Sequence, residues 1–307
     1  MTGPSSGRLA RRLDGVLLLD KPRGLSSNAA LQRAKRLYRA DKAGHTGTLD
    51  PLATGLLPVC FGDATKFAHT LLDADKTYVA LLRLGVVTST GDAEGDIVST
   101  GPVSASRRDM ERVLPRFVGR IAQVPPRYAA LKRDGRKYYE YARQGVEIAR
   151  HPRSVEIREI ELLSWRPPEA ELRVRCGKGT YIRVLAEDIG AALGCGAHLG
   201  GLSRTATGPF ALGDALTLDD LQERSEADRD TALLPVDALV TALIRLDLDR
   251  GDAIRLAHGQ PVANADLRDG TVRVYAAGVF AGVATVASGV VRARRLVAQP
   301  GARQSRA

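Results

Sequence analysis

Residues 44–55 read GHTGTLDPLATG. One carboxylate, Asp50, stands here among glycines, threonines, a histidine and a proline. The residue before a proline is pushed out of the α region, so Asp50 is expected on an extended, glycine-flexed loop. Loops on a rigid scaffold are where catalytic groups commonly sit. Phosphate-binding loops do not fit: a P-loop ends in G-K-[ST], and this segment has no lysine. GKGT at 177–180 fails as well, because Gly179 replaces the hydroxyl residue. No G-x-S-x-G elbow and no serine triad are found. By itself the stretch reads first as an ordinary Asp-Pro turn.

Working outward, VLLLD (16–20) reads as a short buried strand turned by KPRG. SSNAALQRAKRLYRA (26–40) follows, with Ser26, Ser27 or Asn28 as N-cap. Its apolar positions Ala30, Leu31, Ala34 and Leu37 predict an amphipathic helix with a basic outer face. KTYVALLRLG (76–85), SVEIREIELLSW (154–165) and ELRVRCG (171–177) are predicted strands. TYIRVLAEDIGAALG (180–194) has helical spacing ending at Gly194. TGDAEGDIV (90–98) places Asp92, Glu94 and Asp96 together, but its glycine comes too early for an EF-hand. A hairpin turn with solvated acids is expected instead. Segment 123–153 interleaves Arg127, Lys132, Arg133, Arg136, Lys137 and Arg143 with tyrosines; a helix is expected between Gly135 and Gly145. Residues 219–230 are charged and suit a helix and connection, and 271–297 hold three β-rich runs with glycine turns, read as a small β-barrel.

The bulk composition narrows the function. The chain has 307 residues, which suggests one large domain or one large and one small, and its 44% hydrophobic content is enough for a core. A net charge of +10 favours a polyanionic partner, nucleic acid above all. Cys60, Cys176 and Cys195 are scattered and odd in number, arguing against a disulfide framework and for a reducing compartment. The five histidines are dispersed, with no H-E-x-x-H, so no metal site is expected. The run at 16–19 is too short for a signal peptide, and no run approaches a membrane span. A cytoplasmic protein is expected.

Several of these phrases, in this order, are familiar. GHTGTLDPLATGLLP (44–58) resembles the central motif of the TruB-type tRNA pseudouridine synthases, and LLLDKPRGLSS (17–27) their opening strand and turn. KTYVALLRLG, AALK (129–132), YEYARQG (139–145), GTYIRVLAEDIG (179–190) and GCGAHLGGLSRT (194–205) continue the resemblance, which weakens beyond Thr207 and extends to Val297. The resemblance implies an α+β fold: a mixed, mainly antiparallel central sheet flanked by helices, with a small PUA-like β-barrel. The corresponding boundaries are a flexible basic arm at 1–12, a catalytic domain at 13–245, an RNA-binding domain at 246–299 and a tail at 300–307.

The resemblance also implies a function. A uridine in RNA has its base detached from the ribose, rotated and rejoined through carbon, without cofactor or metal. The uridine expected is position 55 in the T-arm loop of tRNA, acted on by a monomer. Asp50 matches the essential catalyst; either attack on C1′ or removal of a 2′ proton requires it ionised. Arg183 matches its ion-pair partner. Tyr78 would stack on the target base, Tyr181 and Leu202 would lie beside it, and His45 would help hold it out of its stack. Lys21 and Pro22 match an opening motif of mainly structural role. Chemistry on a stacked base requires flipping, and RNA readers favour splayed bases held by aromatics and phosphate contacts. The segment 123–153 matches a mobile insertion that closes over the tRNA arm. Two rivals stand beside this reading: a tRNA-folding chaperone gripping the T arm, and a guide-dependent pseudouridylase of the related Cbf type. The insertion and short C-terminus argue against the second.

Overall fold

The computed structural model describes residues 10–129, 131–264 and 267–298. The tail at 300–307 and the arm up to residue 9 lie outside the described residues. The apolar run becomes β1 (Gly15–Lys21), buried at every position but Asp20. Its outer edge is covered, since Val16 exchanges backbone hydrogen bonds with Leu234 and Leu216 bonds to Leu18 and Asp20. An edge strand so apolar would otherwise invite pairing with another chain. Helix α1 (Ser27–Tyr38) is capped by the Ser26 hydroxyl, which accepts from the Ala29 N–H. Its buried stripe of Ala30, Leu31, Ala34 and Tyr38 packs on Leu17, Leu19, Leu57 and Val59.

The chain continues through β2 (Ala43–His45), β3 (Thr54–Phe61), α2 (His69–Leu72) and β4 (Lys76–Leu84). A hairpin, β5 (Val86–Thr88) and β6 (Ile97–Thr100), precedes α3 (Arg107–Val113) and β7 (Gly119–Gln123). The insertion carries β8 (Lys132–Arg133), β9 (Arg136–Lys137) and α4 (Tyr138–Arg143). Then come β10 (Arg153–Arg166), β11 (Glu169–Cys176), α5 (Ile182–Ala192), β12 (Ala197–Thr207) and β13 (Phe210–Ala211). Two short helices, α6 (Leu218–Glu223) and α7 (Glu226–Thr231), fill the charged stretch. The rest is β14 (Ile244–Leu248), α8 (Arg250–Ala257), β15 (Val262–Ala263), β16 (Gly270–Ala276), β17 (Val279–Ala287) and β18 (Val290–Leu296).

The central sheet runs β1-β3-β12-β4-β11-β10-β7, with β2 on β3 and β13 on β12. Every pairing is antiparallel except β3 with β12, which is parallel and spans only Ser203↔Thr54 and Arg204↔Gly55. The backbones nearly touch at this seam. A Cβ on Gly55, whose φ is +98°, would lie 2.4 Å from the Arg204 carbonyl oxygen, so only glycine is accommodated. Two side chains stitch the seam further: Thr54 Oγ1 donates to the Leu202 carbonyl at 3.3 Å, and Arg204 Nε to the Leu56 carbonyl at 2.8 Å.

Helix α5 covers one face of β4, β11 and β12, burying Ile182, Leu185, Ala186 and Ile189 against Leu82, Leu84, Leu172 and Leu199. Its backbone rests on β12 at Gly190, where a Cβ would meet the Ala197 nitrogen at 2.3 Å. The C-terminal strands form a separate sheet, β14-β16-β17-β18-β15, curled into a half-barrel with its own core of Leu246, Leu256, Val272, Val274 and Val291. Val283 and Phe280 of β17 also pack on Phe67 and Leu239.

Three expectations need correction. Arg11, assigned to the flexible arm, is held: its Nη1 donates to Asp230 at 2.6 Å and its backbone bridges Arg39 and Asp41. Gly135 does not bound a helix; it shapes the β8–β9 turn at φ +79°, and α4 begins only at Tyr138. Asp92 is not a solvated turn acid. It is 4% exposed, because its carboxylate faces a buried guanidinium.

Candidate active site

Loop 46–53 leaves β2 and returns as β3, and it is pinned at each end. The Thr46 N–H donates to the Pro58 carbonyl at 3.1 Å, and the Gly24 N–H to the Pro51 carbonyl at 2.8 Å. Between them the Ser27 hydroxyl brackets the Leu49 peptide, donating to its carbonyl at 3.0 Å and accepting from its N–H at 2.7 Å. Leu49, Leu52 and Ala53 are buried and draw the loop into the core. Asp50 is left with its side chain 46% exposed. The apolar neighbours anchor the loop, and the acid faces outward from a fixed backbone.

Arg183, the second residue of α5, reaches this acid from the other half of the sheet. Its Nη2 lies 3.0 Å from Asp50 Oδ2, and its Nε 3.6 Å from Asp92 Oδ2. Nη1 donates to the Thr90 carbonyl at 3.2 Å and Nη2 to the Tyr128 carbonyl at 2.8 Å. The guanidinium is 6% exposed and always charged, so each contact offsets part of its desolvation. Asp92 is itself fixed by the Thr90 hydroxyl at 2.6 Å and the Glu94 N–H at 3.1 Å. One planar cation therefore joins a buried carboxylate to an accessible one.

The remaining expected residues lie on β4, β12, β2, β1 and the start of α5. Tyr78 lies on β4, and Tyr181 stands at the start of α5. Burial raises the pKa of both phenols above the ordinary value, so both are neutral at physiological pH. Leu202 on β12 is half-buried and pairs with Ala80, two residues along β4 from Tyr78. His45 ends β2 with Nδ1 3.2 Å from the Gly47 carbonyl. Burial lowers its pKa and leaves a neutral ring, suited to contact with a base. Lys21, at the end of β1, is fully buried and donates to the Pro22 and Leu25 carbonyls at 2.9 and 2.6 Å.

Burial pulls the Lys21 ammonium down to about 8, against the opposing pull of Asp50. Between about 8 and its ordinary 10.5 the unfolded chain holds a proton that the folded chain lacks. Stability from this group therefore rises with pH across that window, and the burial penalty is fully present below about 8. Comparing the wild type with Lys21→Met in denaturant melts should show the wild type gaining on the variant by roughly 3 kcal/mol between these limits. A gap that does not change with pH would mean that Lys21 holds its proton as firmly in the fold as in the unfolded chain, so that burial does not lower its pKa.

Known proteins resolve what the geometry leaves open. Residues 35–182 match the family model described as "TruB family pseudouridylate synthase (N terminal domain)". Residues 183–241 match "tRNA pseudouridylate synthase B C-terminal domain", and 245–297 match "Pseudouridine synthase II TruB, C-terminal". A tRNA pseudouridine synthase B of Burkholderia mallei (strain ATCC 23344) is 56% identical over 299 residues, 94% of this chain and 96% of that protein. This chain belongs to the TruB family. A second family member, tRNA pseudouridine synthase B of Dechloromonas aromatica (strain RCB), is 55% identical over 276 residues, 90% of this chain and 92% of that protein. Among solved structures, a Cbf5–Nop10–Gar1 complex matches with a TM-score of 0.69, covering 93% of this chain and 84% of its own, at 27% identity. An H/ACA RNP bound to a substrate RNA containing 2′-deoxyuridine matches equally, at 27% identity over 93% and 85%. These complexes thus share the fold, while the TruB relatives share twice the identity.

Within this TruB-family chain, three residues near the site escaped the sequence reading. Asp92 was hidden in an acidic turn. Gln123 sits 2% exposed at the end of β7, against the Tyr181 backbone. Arg204 is 1% exposed, lies between Tyr78 and Gly47, and has no carboxylate at ion-pair distance among the described residues. Its position in LSRTAT carries no local sign of burial. The insertion is as its composition suggested. Arg127, Lys132, Arg133, Arg136 and Arg143 are exposed, and Arg136 lies 5.4 Å over the Tyr141 ring, as Lys137 and Arg143 do over Tyr139.

Proposed function

We propose that the chain isomerises uridine to pseudouridine at position 55 in the T-arm loop of tRNA, as a monomer in the cytoplasm, with Asp50 as its catalytic residue. The observation that carries this reading is the half-exposed Asp50 carboxylate paired at 3.0 Å with the buried guanidinium of Arg183, two residues beyond Tyr181 at the start of α5. The C1′–N1 bond breaks, the base rotates, and C5 bonds to C1′. N1 gains a proton and C5 loses one, so atoms balance with no co-reactant. Asp50 acts at the sugar, on C1′ or on the 2′ proton, and both roles need the carboxylate that Arg183 contacts at 3.0 Å. Tyr78, Tyr181 and Leu202 would line the flipped base, with His45 against the RNA.

The exposed cations of the insertion would follow the phosphates of the T arm. Arg292, Arg294 and Arg295 are exposed on β18 without an ion-pair partner among the described residues. They support an RNA-gripping role for 246–299, separate from a catalytic unit at 13–245. The break between family models at 241–245 supports the same division. The test incubates the protein with an unmodified tRNA transcript and maps pseudouridine by carbodiimide chemistry. One product, at position 55, is expected. No product, or product spread over many uridines, would defeat the assignment.

A further inference from the structure

Tyr181 occupies the N-cap position of α5, at φ −103° and ψ 109°, with no side-chain cap of its own. N-cap positions prefer Ser, Thr, Asp or Asn, whose oxygens cap the first turn locally. Here the backbone of the capping residue is held from another element. Gln123 Oε1 accepts from the Tyr181 N–H at 3.0 Å, and Gln123 Nε2 donates to the Tyr181 carbonyl at 3.3 Å. An amide is suited to this task, because it carries an acceptor and a donor on one planar group. Gln123 is also the last residue of β7, paired through its backbone register with Arg153, so its origin is rigid.

The same short segment makes a second attachment. The Tyr128 carbonyl accepts from Arg183 Nη2, the nitrogen that also faces Asp50. Two residues at the start of α5 are thus aimed by the stem of the basic insertion: Tyr181 through its backbone and Arg183 through its guanidinium.

We propose that Gln123 is a positioning residue that sets the orientation of the Tyr181 ring, and so ties the stem of the insertion to the site. The inference rests on the pseudouridine synthase reading above. Tyr181's phenol stands at the far end of a lever whose base is the peptide that Gln123 fixes. A displacement of about 1 Å at a reacting group costs on the order of a hundredfold in rate. Gln123 contacts neither Asp50 nor, on this reading, the RNA, so its loss should be felt in turnover rather than affinity.

The experiment uses the full chain and an unmodified tRNA transcript. Gln123→Met keeps the length of the side chain and removes both hydrogen bonds. Its kcat should fall about tenfold, with KM within about twofold of wild type. The decisive measurement is the pair of variants made in the Tyr181→Ala background. If Gln123 acts through Tyr181, Gln123→Met should there cost less than about twofold, because the effects of coupled residues do not add. Equal losses in both backgrounds, an unchanged kcat, or a loss confined to KM would overturn the proposal. Should Gln123→Met fail to fold, Gln123→Glu is read by the same cycle. It keeps an acceptor for the Tyr181 N–H and sets a carboxylate against the carbonyl. Wild-type protein that makes no pseudouridine would instead defeat the parent reading, before any variant is compared.

Discussion

Asp50→Asn is expected to reduce pseudouridine formation by at least about a thousandfold while leaving tRNA affinity nearly unchanged. Asparagine keeps the shape of the side chain and removes its charge. The loop would hold its place, since its anchors are the backbone bonds at Thr46, Leu49 and Pro51 rather than the carboxylate. Stability should change by no more than about 1 kcal/mol, because the Asp50 end of the ion pair is nearly half exposed and screened by solvent. On the proposed reading affinity rests on exposed cations of the insertion, which the substitution does not touch. Carbodiimide mapping gives the turnover and filter binding gives the affinity. Residual turnover near wild type would remove Asp50 from the chemistry. Parallel loss of binding would make it a structural residue and leave the chaperone reading without its best control.

The second large effect concerns Arg183. Arg183→Met should lower stability by about 3–5 kcal/mol, because it strands a buried carboxylate rather than an exposed one. Asp92, 4% exposed, would lose its cation, and the Thr90 and Tyr128 carbonyls would lose donors. In a chain of this size that corresponds to a melting temperature lower by roughly 5–8 °C. Turnover should fall together with stability. Adding Asp92→Asn separates the two: the double variant should regain much of the lost stability, since no buried charge is left unpaired, and none of the lost turnover, since Asp50 still lacks its partner. Arg183→Lys should also impair turnover, because a point charge cannot satisfy four acceptors arranged for a planar fork. Thermal melts and turnover on the three variants decide the matter. A stable Arg183→Met protein would mean that Asp92 does not depend on this ion pair, and wild-type rates in Arg183→Lys would remove the pair from catalysis.

Elements with strong internal periodicity were legible. The α1 stripe, the α5 spacing that ends at Gly194 and the alternation in β11 all name their buried faces from residue order alone, because local geometry fixes which side chains share a face. Asp50 was conspicuous for its setting, yet an Asp-Pro turn has the same local grammar; the resemblance separated them. Charge carried less far. Asp92, Glu94 and Asp96 look alike in an acidic hairpin, and Glu94 and Asp96 are indeed exposed. Asp92 differs only because Arg183, from a distant helix, arrives beside it. Gln123 and Arg204 were missed for the same reason. A polar residue at a strand end or within an alternating strand reads as solvated unless the partner that covers it is known.

The parallel seam between β3 and β12 has a mechanical consequence. Lys21, His45 and Asp50 belong to one side of it, and Tyr78, Tyr181, Arg183 and Leu202 to the other. Its ladder is two residue pairs long, against nine where β12 meets β4. The Asp50–Arg183 contact spans the divide, so any parting of the two sides draws the acid away from its counter-ion. Amide exchange along the β3–β12 seam tests whether the two sides part.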